Sequence, residues 1–342
     1  MKRLFCFFGA LATALFFAFI NPCAALAQNE DHFLPLDKNW RIQTAALAGL
    51  DQAAVSSAAC DTANWCPASV PTTVLAALVN DGIYTNIFFS TNLAAIPSAP
   101  FTNAWWFRKE FSVPKELAAE NADLIFEGIN YRANIWLNGE QIAATNDTFG
   151  AFRTFNFAVG GRLKPGENIL SVEIFPPQPG DFTMGFVDWN PKPADHEMGL
   201  FRPVKLHFYK TVALENVFVE SKIDHADWRS AQLTVCADLK NASDRAVETK
   251  ISGRIGAVSF SENFTLPART RRTVKLTPEK NPQLNFPQAQ LWWPWELGEP
   301  HLYDLKLTAE AGGEISDARQ VHFGIREVSD YLNADGARGY IV

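Results

Sequence analysis

Residues 186–199 read FVDWNPKPADHEMG. The stretch sets carboxylates at Asp188 and Asp195 around an indole at Trp189, two prolines and an adjacent His196-Glu197 pair. Carboxylates beside an imidazole are the groups of general acid and base work, whereas an acid beside an exposed indole suits the polar edge and apolar face of a ligand. Three readings are open: a catalytic site, a sugar-binding loop, or a long connection between strands.

Compact signatures elsewhere narrow the chemistry. His196-Glu197 has no second histidine four residues after the first, so it is not the helical zinc-protease motif, and the cysteines lack zinc-type spacing. The chain has no G-x-S-x-G elbow, no phosphate loop and no dinucleotide fingerprint, so neither a metal nor an organic cofactor is expected. A formal charge of -7 over 342 residues, with no basic run, disfavours nucleic acid as a partner. Content of 47% hydrophobic and 13% aromatic residues is ample for two or three packed domains.

The first residues read as an address. Lys2 and Arg3 precede a nearly uncharged run over residues 4–20, and Ala25-Leu26-Ala27 offers small residues for cleavage before Gln28. The run falls short of the roughly 20 apolar residues of a membrane span. Residues 1–27 are therefore expected to be a signal peptide and the mature chain to be secreted or periplasmic, with no membrane association. Losing Lys2 and Arg3 takes the charge from -7 to -9. Of the remaining cysteines, Cys60 and Cys66 are spaced to bridge a small loop around Trp65 in an oxidising compartment, or to stay unpaired as small hydrophobes; Cys236 is expected as a buried thiol.

The elements that must position these groups are mostly strands. ILSVEIF (169–175) puts Leu170, Val172 and Ile174 on one face and Ser171 and Glu173 on the other, the period of a half-buried strand. Asn138-Gly139 between apolar runs predicts a hairpin, because a type I′ turn needs positive φ at both positions. Trp105-Trp106 opens a strand, with one ring inward and the other against a neighbouring loop. A single helix is expected over 72–80, with threonines to cap it and Gly82 beyond its end. Many short strands and scarcely a helix mean sandwiches or barrels. VKLHFY closes one series of strands near Thr211, and the series that follows has the spacing of an immunoglobulin-like sandwich.

The order WWFRKEF, LIFEGINYRANIWLNGEQI, GAFRTFNFAV, LKPGENILSVEIFPP, FVDWNPKPADHEMGLFRPVKL, LWWPWELGEPHLYDLKL and FGIREV resembles the non-catalytic front of a family 2 glycoside hydrolase, from about Trp40 to Arg326. PTTVLAALV, INYRANIWLNG and FVDWNP are most similar to the exo-β-glucosaminidases, with β-mannosidase-type members next. Asn86-Ile87-Phe88-Phe89 departs from that subgroup, which tends to carry Asp-Pro before the aromatics.

The resemblance implies an all-β chain: a jelly-roll, galactose-binding-like sandwich over 28–211, an immunoglobulin-like β-sandwich over 212–326, and over 327–342 the truncated start of a TIM barrel. Retaining glycosidases need two carboxylates about 5 Å apart, and in this family both lie on barrel strands. The sole Asn-Glu pair, Asn29-Glu30, has no strand before it, so no catalytic residue is assigned. By the resemblance Asp188, Trp189 and Asn190 are substrate-binding, touching a terminal β-linked sugar held by a barrel that is a partner if encoded separately. The bland alternative has Asp188 capping a turn and Trp189 packing at a domain interface. Asp195, His196 and Glu197 are expected to be solvated surface. The function implied is that of the front part of a secreted exo-acting β-glycosidase; a stand-alone carbohydrate-binding or scaffold protein and an inactive fragment are the alternatives.

Overall fold

The computed structural model describes residues 32–49, 52–185 and 189–341. The expected signal peptide lies outside them, as does Asp188. Every ladder between named strands is antiparallel. A TIM barrel is built from parallel strands, and the described residues contain none of it.

The first sandwich packs a four-stranded sheet on a six-stranded one. The four-stranded sheet runs Phe33–Pro35, Val204–Tyr209, Asn121–Phe126, Phe155–Ala158. The six-stranded sheet runs Cys66–Ala68, Trp40–Thr44, Trp105–Val113, Gly166–Phe175, Arg132–Leu137, Glu140–Ala143. Between them lie Trp40, Ile42, Phe107, Phe126, Leu170, Val172 and Ile174, all at 0% exposure. The hairpin turns at Asn138 (φ 55°) and Gly139 (φ 89°) as the Asn-Gly pair predicts.

The strand Gly166–Phe175 departs from the expected half-burial. Ser171 and Glu173, on its polar face, are as enclosed as the apolar face, at 0% and 7% exposure. The segment between Thr44 and Cys66 folds over them, with short helices at Ala45–Ala48 and Gln52–Val55. Ser171 donates to the Val55 carbonyl at 3.3 Å, and Gln52 and Asn134 donate to Glu173 at 3.3 and 3.0 Å. Beneath this cover Val55, Cys60, Trp65, Trp106 and Trp136 form a second small core. Trp105 faces the main core and Trp106 this one, so the pair divides as its alternation requires. Cys60, Cys66 and Cys236 are free thiols, with no bridge between the first two. Burial pushes the Cys66 thiol up to about 12.

The expected helix forms over Val74–Asn80, with the Thr73 hydroxyl accepting from the Ala76 N–H at 3.2 Å. Beside it the described residues hold three four-residue helices, two in the covering segment and one at Lys115–Ala118, too short to carry a readable period.

The second sandwich has Val212–Ile223, Ala231–Asn241 and Arg271–Leu276 in one sheet, with Asn285–Phe286 paired on Ala231–Asn241. The other sheet orders Val258–Leu266, Val247–Ile255, Tyr303–Ala311 and Glu314–Phe323. Leu214, Leu233, Leu239, Ile251, Leu305 and Leu307 fill the space between. A hairpin of Ser329–Leu332 and Arg338–Ile341 follows.

The two sandwiches meet over buried polar groups. Asp123 of the first accepts Lys240 of the second at 2.6 Å, and Asp317 of the second faces His207 of the first at 2.9 Å. Ser316 binds the connection itself, accepting the Thr211 and Val212 N–H groups at 2.8 and 2.7 Å.

Candidate functional site

The excursion from strand Gly166–Phe175 to strand Gly199–Leu200 is held at both ends. At its outgoing end Asp181 accepts both 2.7 Å and 2.9 Å bonds from Arg132 Nη2 and a third from the Gln178 N–H at 2.7 Å. The next residue, Phe182, leans its ring on Phe152 with centroids 5.5 Å apart. A charge-assisted pair of this kind fixes direction as well as distance.

At the returning end Asp195 is 1% exposed, against the expectation of a solvated residue. Its Oδ2 accepts the Leu75 N–H at 2.7 Å and its Oδ1 the Glu197 N–H at 3.0 Å. Leu75 is in the first turn of helix Val74–Asn80, whose leading N–H groups have no partner within the helix. The Met198 carbonyl accepts a second of them, from Val74, at 2.8 Å. Burial nevertheless raises the Asp195 carboxyl above its ordinary range, outweighing the bonds that favour its charged form.

Asn130 completes the grip. Its amide donates to the carbonyls of His196 and Glu197 at 3.0 and 2.9 Å, and its backbone exchanges 2.9 Å bonds with Gly199 in both directions. His196 and Glu197 take positive φ (50° and 56°), which turns their carbonyls toward that amide. His196 is exposed, as expected, whereas Glu197 is half-buried. Its carboxylate lies so close to Gly185 that a Cβ there would sit 2.4 Å from it. Burial and the Asp195 charge both raise Glu197.

Between these clamps Trp189 and Asn190 face outward. Trp189 is 79% exposed and Asn190 is exposed beside it, so two of the three expected sugar contacts lie side by side on a surface and the third, Asp188, lies outside the described residues. The sequence reading missed Asp181, Arg132, Asn130 and the role of Asp195. The partners that tie them to other elements are 49 to 120 residues away in the chain, and no local pattern marks them. Among the described residues no group of three or more His, Cys, Asp or Glu side chains is placed to hold a metal, and no helix is long and apolar enough to cross a membrane.

Comparison with known proteins bears on both sandwiches. Residues 50–181 match the glycosyl hydrolase 2 galactose-binding domain-like family, and residues 212–326 match the glycosyl hydrolases family 2 domain. The exo-β-D-glucosaminidase of Streptomyces avermitilis is 38% identical over 304 residues, which are 89% of this chain and 33% of that protein. The exo-β-D-glucosaminidase of Amycolatopsis orientalis is 35% identical over 297 residues, 85% of this chain and 28% of that one. The crystal structure of the Amycolatopsis orientalis exo-chitosanase CsxA superposes with a TM-score of 0.82 at 32% identity, covering 90% of this chain and 35% of that one. The chain thus spans about a third of the length of these relatives. With both sandwiches matched in order, the chain belongs to glycoside hydrolase family 2 and carries that family's galactose-binding-like and immunoglobulin-like domains.

Proposed function

We propose that these two domains are the sugar-recognition part of an exported, exo-acting β-glycosidase that removes terminal glucosamine from chitosan-type chains. The observation that carries this reading is the loop clamped through Asp181 and Asp195 that leaves Trp189 and Asn190 outward. Its chemistry suits an amino sugar: the indole covers the apolar face of a pyranose, Asn190 offers an amide to ring hydroxyls, and Asp188 brings a carboxylate for the ammonium. The names of the relatives support the sugar.

In this reading the acid/base and nucleophile carboxylates belong to a catalytic domain and not to these sandwiches. Each enclosed carboxylate here already has a structural partner: Asp123 with Lys240, Asp195 with Leu75, Glu173 with Asn134, Glu215 with Arg271, Asp317 with His207. The test is a chimaera in which these domains replace the corresponding part of the Amycolatopsis orientalis enzyme, assayed on an aryl β-glucosaminide. Trp189→Ala and Asp188→Ala should each lower kcat/KM by about 1–3 kcal/mol of transition-state binding. The Asp188 loss should be larger for the amino sugar than for the matching neutral sugar, because a carboxylate gains more from an ammonium than from a hydroxyl. Full activity in both variants would reduce the loop to a connection. Hydrolysis by the two domains alone would show that they hold a catalytic pair.

A further inference from the structure

The four-stranded sheet of the first sandwich has an outward face that the second sandwich covers only in part. Alternation places Phe33, Ile125, Asn156, Lys205 and His207 on that face, in register across the four strands, with Glu127 just past the end of strand Asn121–Phe126. The second sandwich closes over its His207 end and stops short of the rest. What remains is a cleft of about 620 Å³ whose opposite wall is Leu214, Glu215, Asn216 and Arg271. Trp189 is not among its lining residues.

The cleft is positive in a chain that is negative. Arg202, Lys205, Arg271 and Arg319 line it against Glu127 and Glu215, while the chain carries -7. Three of the cations are engaged: Lys205 with Glu127 at 2.6 Å, Arg271 with Glu215, and Arg319 with Asp317 at 3.1 Å. Arg202 is exposed and its guanidinium meets no partner among the described residues; the side chains of Thr154 and Asn156 are likewise unengaged. The Phe152 ring, 58% exposed, stands at the same cleft and is steadied from behind by Phe182.

We propose that this cleft is a second saccharide site, separate from the Trp189 loop, and that it takes a short carboxylate-bearing oligosaccharide of uronic-acid type. A free guanidinium presents the planar fork that matches a carboxylate. The Thr154 hydroxyl and Asn156 amide supply donors and acceptors at sugar-hydroxyl reach, and the Phe152 ring supplies an apolar face. The same positive lining repels glucosamine chains, so the two sites sort ligands by charge. An acidic peptide would satisfy Arg202 but would leave the hydroxyl and amide without their complement, which is why a saccharide fits better.

The experiment is calorimetric titration of the mature chain with trigalacturonate, its methyl ester, a glucosamine trimer and a glutamate oligopeptide. Trigalacturonate should bind, more weakly as salt is raised, and the ester about tenfold more weakly. Arg202→Ala should weaken trigalacturonate about tenfold or more while leaving the melting temperature in place, and Asn156→Ala should weaken it by a smaller factor. Trp189→Ala should leave it unchanged, which keeps this site's failure apart from failure of the loop. No binding at millimolar trigalacturonate, indifference to Arg202→Ala, or equal binding of the glucosamine trimer would overturn the proposal. Equal binding of the glutamate peptide would overturn its saccharide part and make the cleft a seat for acidic polypeptide.

Discussion

A carboxylate enclosed to 1% exposure that accepts two backbone N–H groups acts as scaffold, and Asp195 does this where the loop meets helix Val74–Asn80. Asp195→Ala strands the Leu75 N–H in a buried place and should cost about 1–3 kcal/mol, read as a lower urea midpoint. Asp195→Asn keeps an acceptor and removes the titration. Because burial raises this carboxyl, the folded state favours its protonated form. That contribution is present below the ordinary carboxylate pKa and is lost as pH rises through the raised one. Stability of the parent relative to Asp195→Asn should therefore fall as pH rises above the ordinary carboxylate range. A pH-independent difference would mean that the site titrates as if exposed. None of this was legible in ADHEMG, which reads as polar loop, because the helix that Asp195 serves lies 120 residues earlier. Trp189 stood out through the neighbours it shares with a family, and the structure leaves its ring exposed.

At the scale of elements, alternation located the strands and one face of each. Leu170, Val172 and Ile174 point into the core as their spacing requires, yet nothing in ILSVEIF shows that the opposite face is covered too. The cover comes from the alanine-rich segment between Thr44 and Cys66, which has neither a strand period nor a long helical one. Asn241 illustrates the same gap. It opens an Asn-x-Ser sequon, but its amide is spent on the carbonyls of Arg245, Leu266 and Pro267 at 2.8, 3.2 and 3.0 Å and is 1% exposed. Strand Gly199–Leu200 depends on closeness instead: a Cβ on Gly199 would lie 2.5 Å from the Thr72 carbonyl oxygen and 2.6 Å from the Thr73 Cα. Gly199→Ala must push that two-residue ladder apart, at a cost of about 1–3 kcal/mol. Hydrogen exchange should show faster exchange at the residue 199 and Asn130 amides, each of which donates to the other residue's carbonyl in the parent. Unchanged protection there would mean that the neighbouring backbone absorbs the methyl group freely.

Across the whole molecule the question is whether the two sandwiches are joined by a slack tether. The change of pattern near Thr211 marks where one series of strands ends, but periodicity carries no information about the contacts a connection makes. Tyr209, Val212 and Ala213 are 2%, 0% and 0% exposed, and Lys210, Thr211 and Val212 all donate backbone N–H groups to Ser316. A protease needs a segment that can leave its surroundings, so this connection should resist cleavage although it lies between domains. Through His207 the junction should respond to pH. It is enclosed with Asp317 and Arg319 against it, Asp317 also reached by His32 at 3.8 Å, and Asp123 close behind. Burial lowers its pKa from the ordinary 6.5, opposed by Asp317, and the Arg319 guanidinium 2.6 Å from Nε2 favours a neutral ring. A base whose folded pKa is depressed contributes stability above its unfolded pKa, and that contribution is lost as pH falls, when the unfolded chain takes up the proton first. Denaturation at pH 7.5 and 5.5 should show the parent losing on the order of 1 kcal/mol more than His207→Gln on acidification, since glutamine keeps a polar side chain at the junction without the titration. Parallel losses in the two proteins would show that folding leaves the His207 proton affinity unchanged, and a smaller loss in the parent would show that His207 is charged in the fold, so that the junction would have to be understood as an ion pair between His207 and Asp317.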